Sequence, residues 1–186
     1  MKIIAFNRLP GTPVESFGDI DIIPDSAMIL PGKPLFVPDF GADRWIGKIS
    51  LAFRINRLGK NISEKFAPRY YDAMSVALRF FPEGMDDDMT RRGLLSGCDG
   101  TFVHGEWVSL PSAGLTLAIS GAGPEMTLSE TDIRIDAAIS TASRYMTLKT
   151  GDIILATVLP DTIPAVQDTA VTINIDNSPN LILRIK

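Results

Sequence analysis

The sequence predicts an α+β fold whose core is mostly β, and three observations carry that reading. Several short runs alternate apolar with polar residues, which is the period of strands with one buried face. Only two stretches have the length and spacing of helices. The first 45 residues hold ten prolines and glycines between Pro10 and Gly41. That suits short strands joined by turns, because proline removes a backbone donor and glycine admits positive φ.

Beyond that opening, Ile49, Leu51, Phe53 and Ile55 alternate with Lys48, Ser50, Arg54 and Asn56 and predict a strand over 48–56. Leu58-Gly59-Lys60-Asn61 supplies a turn. Ser63 is placed to cap a predicted helix that runs through Ala67 and Tyr70 to about Phe81. Pro68 is tolerated only in the first turn of such a helix, and Pro82-Glu83-Gly84 ends it. Met85 to Gly105 is the least regular stretch, and Leu115, Leu117 and Ile119 then predict a short strand. Between Thr131 and Met146 the residues Ile135, Ala138, Ile139, Ala142 and Met146 share one helical face, with Thr131 as N-cap. Thr150-Gly151-Asp152 turns the chain into a strand from Ile153 to Val158. Val171, Ile173 and Ile175 predict another strand, and Leu181 to Ile185 the last.

The 186 residues, 45% of them hydrophobic, suffice for a buried core and read as one domain over 1–186. Eighteen Lys and Arg stand against 22 Asp and Glu, a net charge of −4 that gives no sign of a nucleic-acid surface. No run approaches the roughly 20 apolar residues that span a bilayer, and Asn7, Arg8 and Pro10 break the start before it resembles a signal peptide. With an unpaired cysteine, the expectation is a soluble cytoplasmic protein. The smallest counts exclude most. One cysteine, Cys98, and one histidine, His104, rule out an intrachain disulfide and a Cys/His zinc site.

Three candidate motifs read as ordinary structure. Asp86-Asp87-Asp88 offers oxygen ligands, but adjacent side chains cannot all face one centre and no EF-hand spacing follows. It reads as a solvated loop. Cys98 and His104 match no nucleophile motif. Gly121-Ala122-Gly123-Pro124 lacks the Lys-Ser/Thr pair of a phosphate loop and reads as a turn.

Longer segments carry a resemblance. They are Pro24-Asp25-Ser26-Ala27, Gly32-Lys33-Pro34 with Pro38-Asp39-Phe40, and Arg57-Leu58-Gly59-Lys60-Asn61-Ile62-Ser63-Glu64-Lys65-Phe66-Ala67. Asp99-Gly100 and Ser143-Arg144 through Leu148-Lys149-Thr150-Gly151-Asp152-Ile153-Ile154 follow in order. From Pro24 to Lys186 the chain resembles the fumarylacetoacetate hydrolase family, metal-dependent enzymes of acylpyruvate-type diketo acids, with a shortened, divergent segment over 1–23. The resemblance implies a mixed β-sandwich roll with flanking helices and a homodimer.

It also implies where Mg²⁺ or Mn²⁺ would bind, and there the chain departs. The family's Glu-x-Glu pair falls on Lys48 and Ser50, and its third carboxylate on Arg79. A family lysine falls on Ser96, although Asp99 remains, and another falls on Ile23. The segment from Asn7 to Ile20 lacks the family's Tyr and His. The Thr-Gly-Thr-Pro substrate loop has become Ala156-Thr157-Val158-Leu159, with Pro160 one residue late. Two cations about 4 Å apart repel by roughly 4 kcal/mol at an effective dielectric of 20, which disfavours a dication between Lys48 and Arg79.

The leading expectation is therefore a family-like protein without metal or other cofactor and without catalytic residues. Lys48, Ser50, Arg79, Ser96 and Asp99 would line a degenerate cleft for a small anion, unless Lys48 and Arg79 turn to solvent or pair with an acid such as Asp99. Its expected partners are a second copy or an active paralogue, with neither nucleic acid nor membrane. The alternative is a metal-dependent hydrolase, decarboxylase or isomerase with ligands relocated to Asp99, Glu106 or the Asp86–Asp88 loop. A third reading is unrelated chemistry at Cys98 or His104.

Overall fold

A computed structural model describes residues 1–7, 20–40, 43–85, 89–110, 115–119, 126–128 and 134–186. In chain order the elements are β1 (Lys2–Phe6), β2 (Ile20–Pro24), β3 (Trp45–Ile55), β4 (Tyr71–Pro82), α1 (Met89–Leu95) and β5 (Phe102–His104). They continue with β6 (Leu115–Ile119), β7 (Met126–Leu128), α2 (Ile135–Tyr145), β8 (Ile153–Pro164), β9 (Ala170–Ile175) and β10 (Ser178–Arg184). Short 3-10 turns occupy Asp25–Ala27 and Glu64–Arg69. The fold is α+β and mostly β, as the alternating runs predict.

The strands form two sheets. One has six strands in the order β2-β1-β8-β3-β4-β5, and the other four in the order β10-β9-β6-β7. The larger sheet is mixed, because β1 and β8 run parallel while its other neighbours are antiparallel. Alternation decides its two faces. Ile49, Leu51, Phe53 and Ile55 are fully buried in one large cluster with Val76, Leu78 and Ile154. That cluster includes Ile173 and Leu183 of the second sheet and Ala138, Ile139 and Ala142 of α2. The reverse face carries a smaller cluster, in which Ile3, Ala5, Ile23, Ala52, Ala77 and Phe102 pack together. No helix among the described residues is long and apolar enough to cross a membrane.

The helix expected over 63–81 is not there. Ser63 precedes a 3-10 turn without making a side-chain cap, Pro68 sits inside that turn, and the chain then becomes β4. Every residue of β4 from Ala73 to Pro82 is buried. Its faces are covered by the two core clusters, with Met74, Val76 and Leu78 in the larger and Ala77 in the smaller, so it carries apolar residues at odd and even positions alike and the run loses its period of two. Residues 85–105, read as irregular, include α1 and β5. The helix at Ile135–Tyr145 is where the apolar stripe placed it, with Arg134 at its N-cap. Thr131, the Asp86–Asp88 run and the Gly121–Pro124 turn lie outside the described residues.

The segments that carry the family resemblance dock onto each other. The Gly59 and Leu148 backbones exchange hydrogen bonds of 3.0 and 2.8 Å. Asn61, at φ 53, donates its N–H to the Ser143 carbonyl at 2.9 Å. The buried Ser143 hydroxyl accepts the Ile62 N–H at 2.9 Å and donates to the Ser140 carbonyl. Gly59 is closely packed, since a Cβ there would sit 2.5 Å from the Tyr70 ring and 2.6 Å from Ile62 Cδ1 and force them to shift. Asp152, at the end of the Thr-Gly-Asp turn, is buried against Lys2 and accepts the Lys149 N–H at 2.8 Å. These residues hold elements together.

Candidate functional site

The reverse face of the large sheet gathers the polar groups. Lys48 and Ser50 alternate with the buried Ile49 and Leu51, and Arg79 lies two residues beyond Ala77. Lys48 and Arg79 are direct register partners across β3 and β4, and Ser50 pairs with Ala77. Partners in an antiparallel pair have Cα atoms about 4.5–5.5 Å apart. The three positions are thus neighbours on one face. On the other side of β3, Ser50 pairs with Val158 and Lys48 with Thr162, so β8 bulges between them. The bulge puts the backbone of residues 158–162 beside Lys48 and Ser50.

Strands β1 and β2 bring the counter-charge. Ile3 and Ala5 lie on this face, so Asn7 continues it, and Asp21 is the register partner of Ala5. Arg79 Nη2 meets Asp21 Oδ2 at 2.8 Å and donates to the Ser96 hydroxyl at 2.9 Å, while Nη1 donates to Asn7 Oδ1 at 3.1 Å. Asn7 Nδ2 donates to Asp21 Oδ2 at 3.0 Å. Helix α1 adds Arg92, whose Nε lies 3.0 Å from Asp21 Oδ2. The guanidinium of Arg79 also lies 4.8 Å from the Phe81 ring centre. Side chains of Arg79, Arg92 and Asp21 are 6%, 7% and 9% exposed, so the cluster is largely withdrawn from water.

Burial alone would raise the Asp21 carboxyl, but the Arg79 charge, the hydrogen bonds from Arg79 and Asn7 and the Arg92 charge outweigh it and hold the group below its ordinary value. Burial also lowers Arg79, and Arg92 pushes the same way, while Asp21 opposes both. Asp21 thus remains an internal carboxylate between two arginines.

Lys48 is half-buried, Ser50 is buried, and Ser96 is buried on Arg79. Asp99 is exposed in the turn after α1 and makes no ion pair with Arg79. The acid expected for that role is replaced by Asp21, because β2 lies along the sheet edge while the 96–100 turn points Asp99 to solvent. Asn7, Asp21 and Arg92 were not read from the sequence. The available signal was Asp21 itself, the single acid in the apolar run Ile20-Asp21-Ile22-Ile23.

Cys98 and His104 have separate surroundings. Burial, aided by Asp99, pushes the Cys98 thiol up, which disfavours a thiolate nucleophile, and its Sγ lies 3.6 Å from the Leu94 carbonyl. His104 Nδ1 lies 2.7 Å from the Gly105 carbonyl oxygen, which accepts a hydrogen bond from the ring N–H. The ring is 4.7 Å from that of Trp107, over which Arg54 lies at 5.6 Å.

The donor set does not fit the metal that the resemblance implies. Lys48, Ser50 and Arg79 offer two cations and a hydroxyl where a hard dication needs several anionic oxygens. Among the described residues no three His, Cys, Asp or Glu side chains are grouped as metal ligands would be.

No protein-family model matches the chain, and no curated protein does. Solved structures match in fold. The 5-carboxymethyl-2-hydroxymuconate delta-isomerase of Mycobacterium smegmatis superposes with a TM-score of 0.80 at 20% identity, over 99% of this chain and 78% of its own. A Yersinia pestis CO92 protein described as of the fumarylacetoacetate hydrolase family gives 0.77 at 22%, over 100% and 93%. The maleylpyruvate hydrolase of Sphingobium sp. SYK-6 gives 0.76 at 21%, over 99% and 69%. The chain is therefore built on the β-rich scaffold that these isomerase, hydrolase and fumarylacetoacetate hydrolase family structures share.

Proposed function

We propose that this chain is a fumarylacetoacetate hydrolase relative that no longer performs metal-dependent chemistry and acts as a non-catalytic binding or regulatory module. One observation carries the reading. Where the resemblance calls for a carboxylate ligand stands Arg79, buried and ion-paired to Asp21 at 2.8 Å. Adding a divalent cation there would bring it against Arg79, Arg92 and Lys48, at a Coulomb cost of several kcal/mol for each close cation. With Asp21 shared by Arg79 and Arg92, and Lys48 beside them, cations outnumber acids three to one among the described residues of this face, which suits a small anion better than a metal. A homodimer, or pairing with an active paralogue, is the assembly in which such a module would act.

Turnover of an acylpyruvate tests the reading. Purified protein with Mg²⁺ or Mn²⁺ is expected to show no hydrolysis, decarboxylation or isomerisation above the metal-only rate. Turnover that EDTA abolishes would overturn it and favour an enzyme with relocated ligands.

A further inference from the structure

At the other end of β3 the chain runs against its own charge. From Arg57 to Tyr70 it carries Arg57, Lys60, Lys65 and Arg69 against Glu64 alone, a local excess of three positive charges on a chain of net charge −4. These residues fold around a cleft of about 330 Å³ lined by Arg57, Lys60 and Arg69 and by the polar residues Asn61 and Ser63. That volume falls in the range of small-molecule sites. The seven residue steps of β3 from Lys48 to Ile55 span roughly 23 Å, so the cleft is remote from the Arg79 cluster.

The cleft is held in shape. Lys60 Nζ donates to the Arg144 carbonyl at 2.9 Å, and Asn61 and Ile62 hang on Ser143. Arg57 lies over Tyr70, with Cζ 5.9 Å from the ring centre, and Arg69 lies over Phe66 at 5.2 Å. Such stacking orients a guanidinium by its face and leaves its N–H edges to bond elsewhere. Among the described residues neither arginine has an ion-pair or hydrogen-bond partner, and the Ser63 hydroxyl makes no cap. Several cations share one concavity without a carboxylate, so their mutual repulsion is relieved by a bound anion. Two guanidinium edges, an ammonium and a hydroxyl offer more donors than one carboxylate accepts, and they suit the three terminal oxygens of a phosphate.

We propose that this cleft binds a small phosphate-bearing anion. The assignment does not rest on the loss of metal chemistry proposed above. Calorimetric titration of the full chain with inorganic pyrophosphate is expected to show saturable one-to-one binding. The double variant Arg57→Gln/Arg69→Gln, at two exposed positions, is expected to bind at least tenfold more weakly with an unchanged melting temperature. Lys33→Gln, which removes an exposed charge outside the cleft, is expected to bind as the parent does. Absence of saturable binding, an unchanged affinity in the double variant, or an equal loss in Lys33→Gln would overturn the proposal. Loss in Lys48→Gln instead would place the anion on the reverse face of the sheet and overturn it as well. Citrate binding as tightly as pyrophosphate would overturn the phosphate assignment. Tighter binding of a single-stranded oligonucleotide, lost in the double variant, would reassign the cleft to nucleic acid.

Discussion

Arg79 and Asp21 are the two residues on which the reverse face of the sheet depends. Each is nearly withdrawn from water, so neither can lose its partner and keep its solvation. Asp21→Asn removes the carboxylate that both arginines share and is expected to destabilise the fold by about 3–5 kcal/mol, read by urea unfolding at pH 7. Arg79→Gln is expected to cost a similar amount, with the double variant losing less than the two singles together. The pH dependence follows from the lowered Asp21 carboxyl. A group whose folded value lies below its unfolded one contributes fully above the unfolded value, about 3.9 for Asp, and loses that contribution as pH falls through the folded value. Unfolding free energy of the parent is expected to drop more steeply below about pH 4 than that of Asp21→Asn, and parallel curves would show that Asp21 is not the group. The resemblance points to Lys48 and Ser50 by counting back from Gly59-Lys60-Asn61 and to Arg79 by counting from Tyr70-Tyr71-Asp72-Ala73, and strand pairing makes the three neighbours on one face. Asp21 was not legible in this way, because it is 58 residues from Arg79 and only the β1–β2 pairing brings it there.

The legible elements are those whose large apolar residues keep a period or follow a clear turn. Strands β3 and β6 and helix α2 were located by the period of their apolar residues, whereas β8 was located by its apolar run after the Thr150-Gly151-Asp152 turn, since Ile153 to Ala156 are buried throughout. Strand β4 failed for the opposite reason. Buried on both sides, its Ala73-Met74-Ser75-Val76-Ala77-Leu78 run has no polar face to reveal a period of two, and the Ser63 and Pro68 positions lent themselves to a helix start. Helix α1 spans seven residues with Gly93 inside, too short and too weak in propensity to stand out. The Gly59 turn shows what the resemblance motifs do at this scale. Gly59→Ala would push a Cβ into Tyr70 and Ile62 and is expected to lower stability by about 1–3 kcal/mol in thermal melts. An unchanged melting temperature would mean that the turn relaxes freely and is not a packed joint between the β3 end and α2.

The whole molecule shares the scaffold of the isomerase and hydrolase structures it superposes on. The two sheets, the large shared core and the Lys2–Asp152 tie between the first strand and the Thr-Gly-Asp turn are features of a stable fold. None of them requires a metal. Core packing in this chain is specified by the apolar pattern, whereas the reverse face of the sheet is specified by a few polar positions, among which the buried Arg79–Asp21 pair also bears on stability. The direct measurement is calorimetric titration of the purified, EDTA-treated protein with Mn²⁺ and Mg²⁺, with melting temperature followed in parallel. The expected result is no saturable binding and no stabilisation at millimolar metal. One-to-one binding with a clear rise in melting temperature would contradict the account.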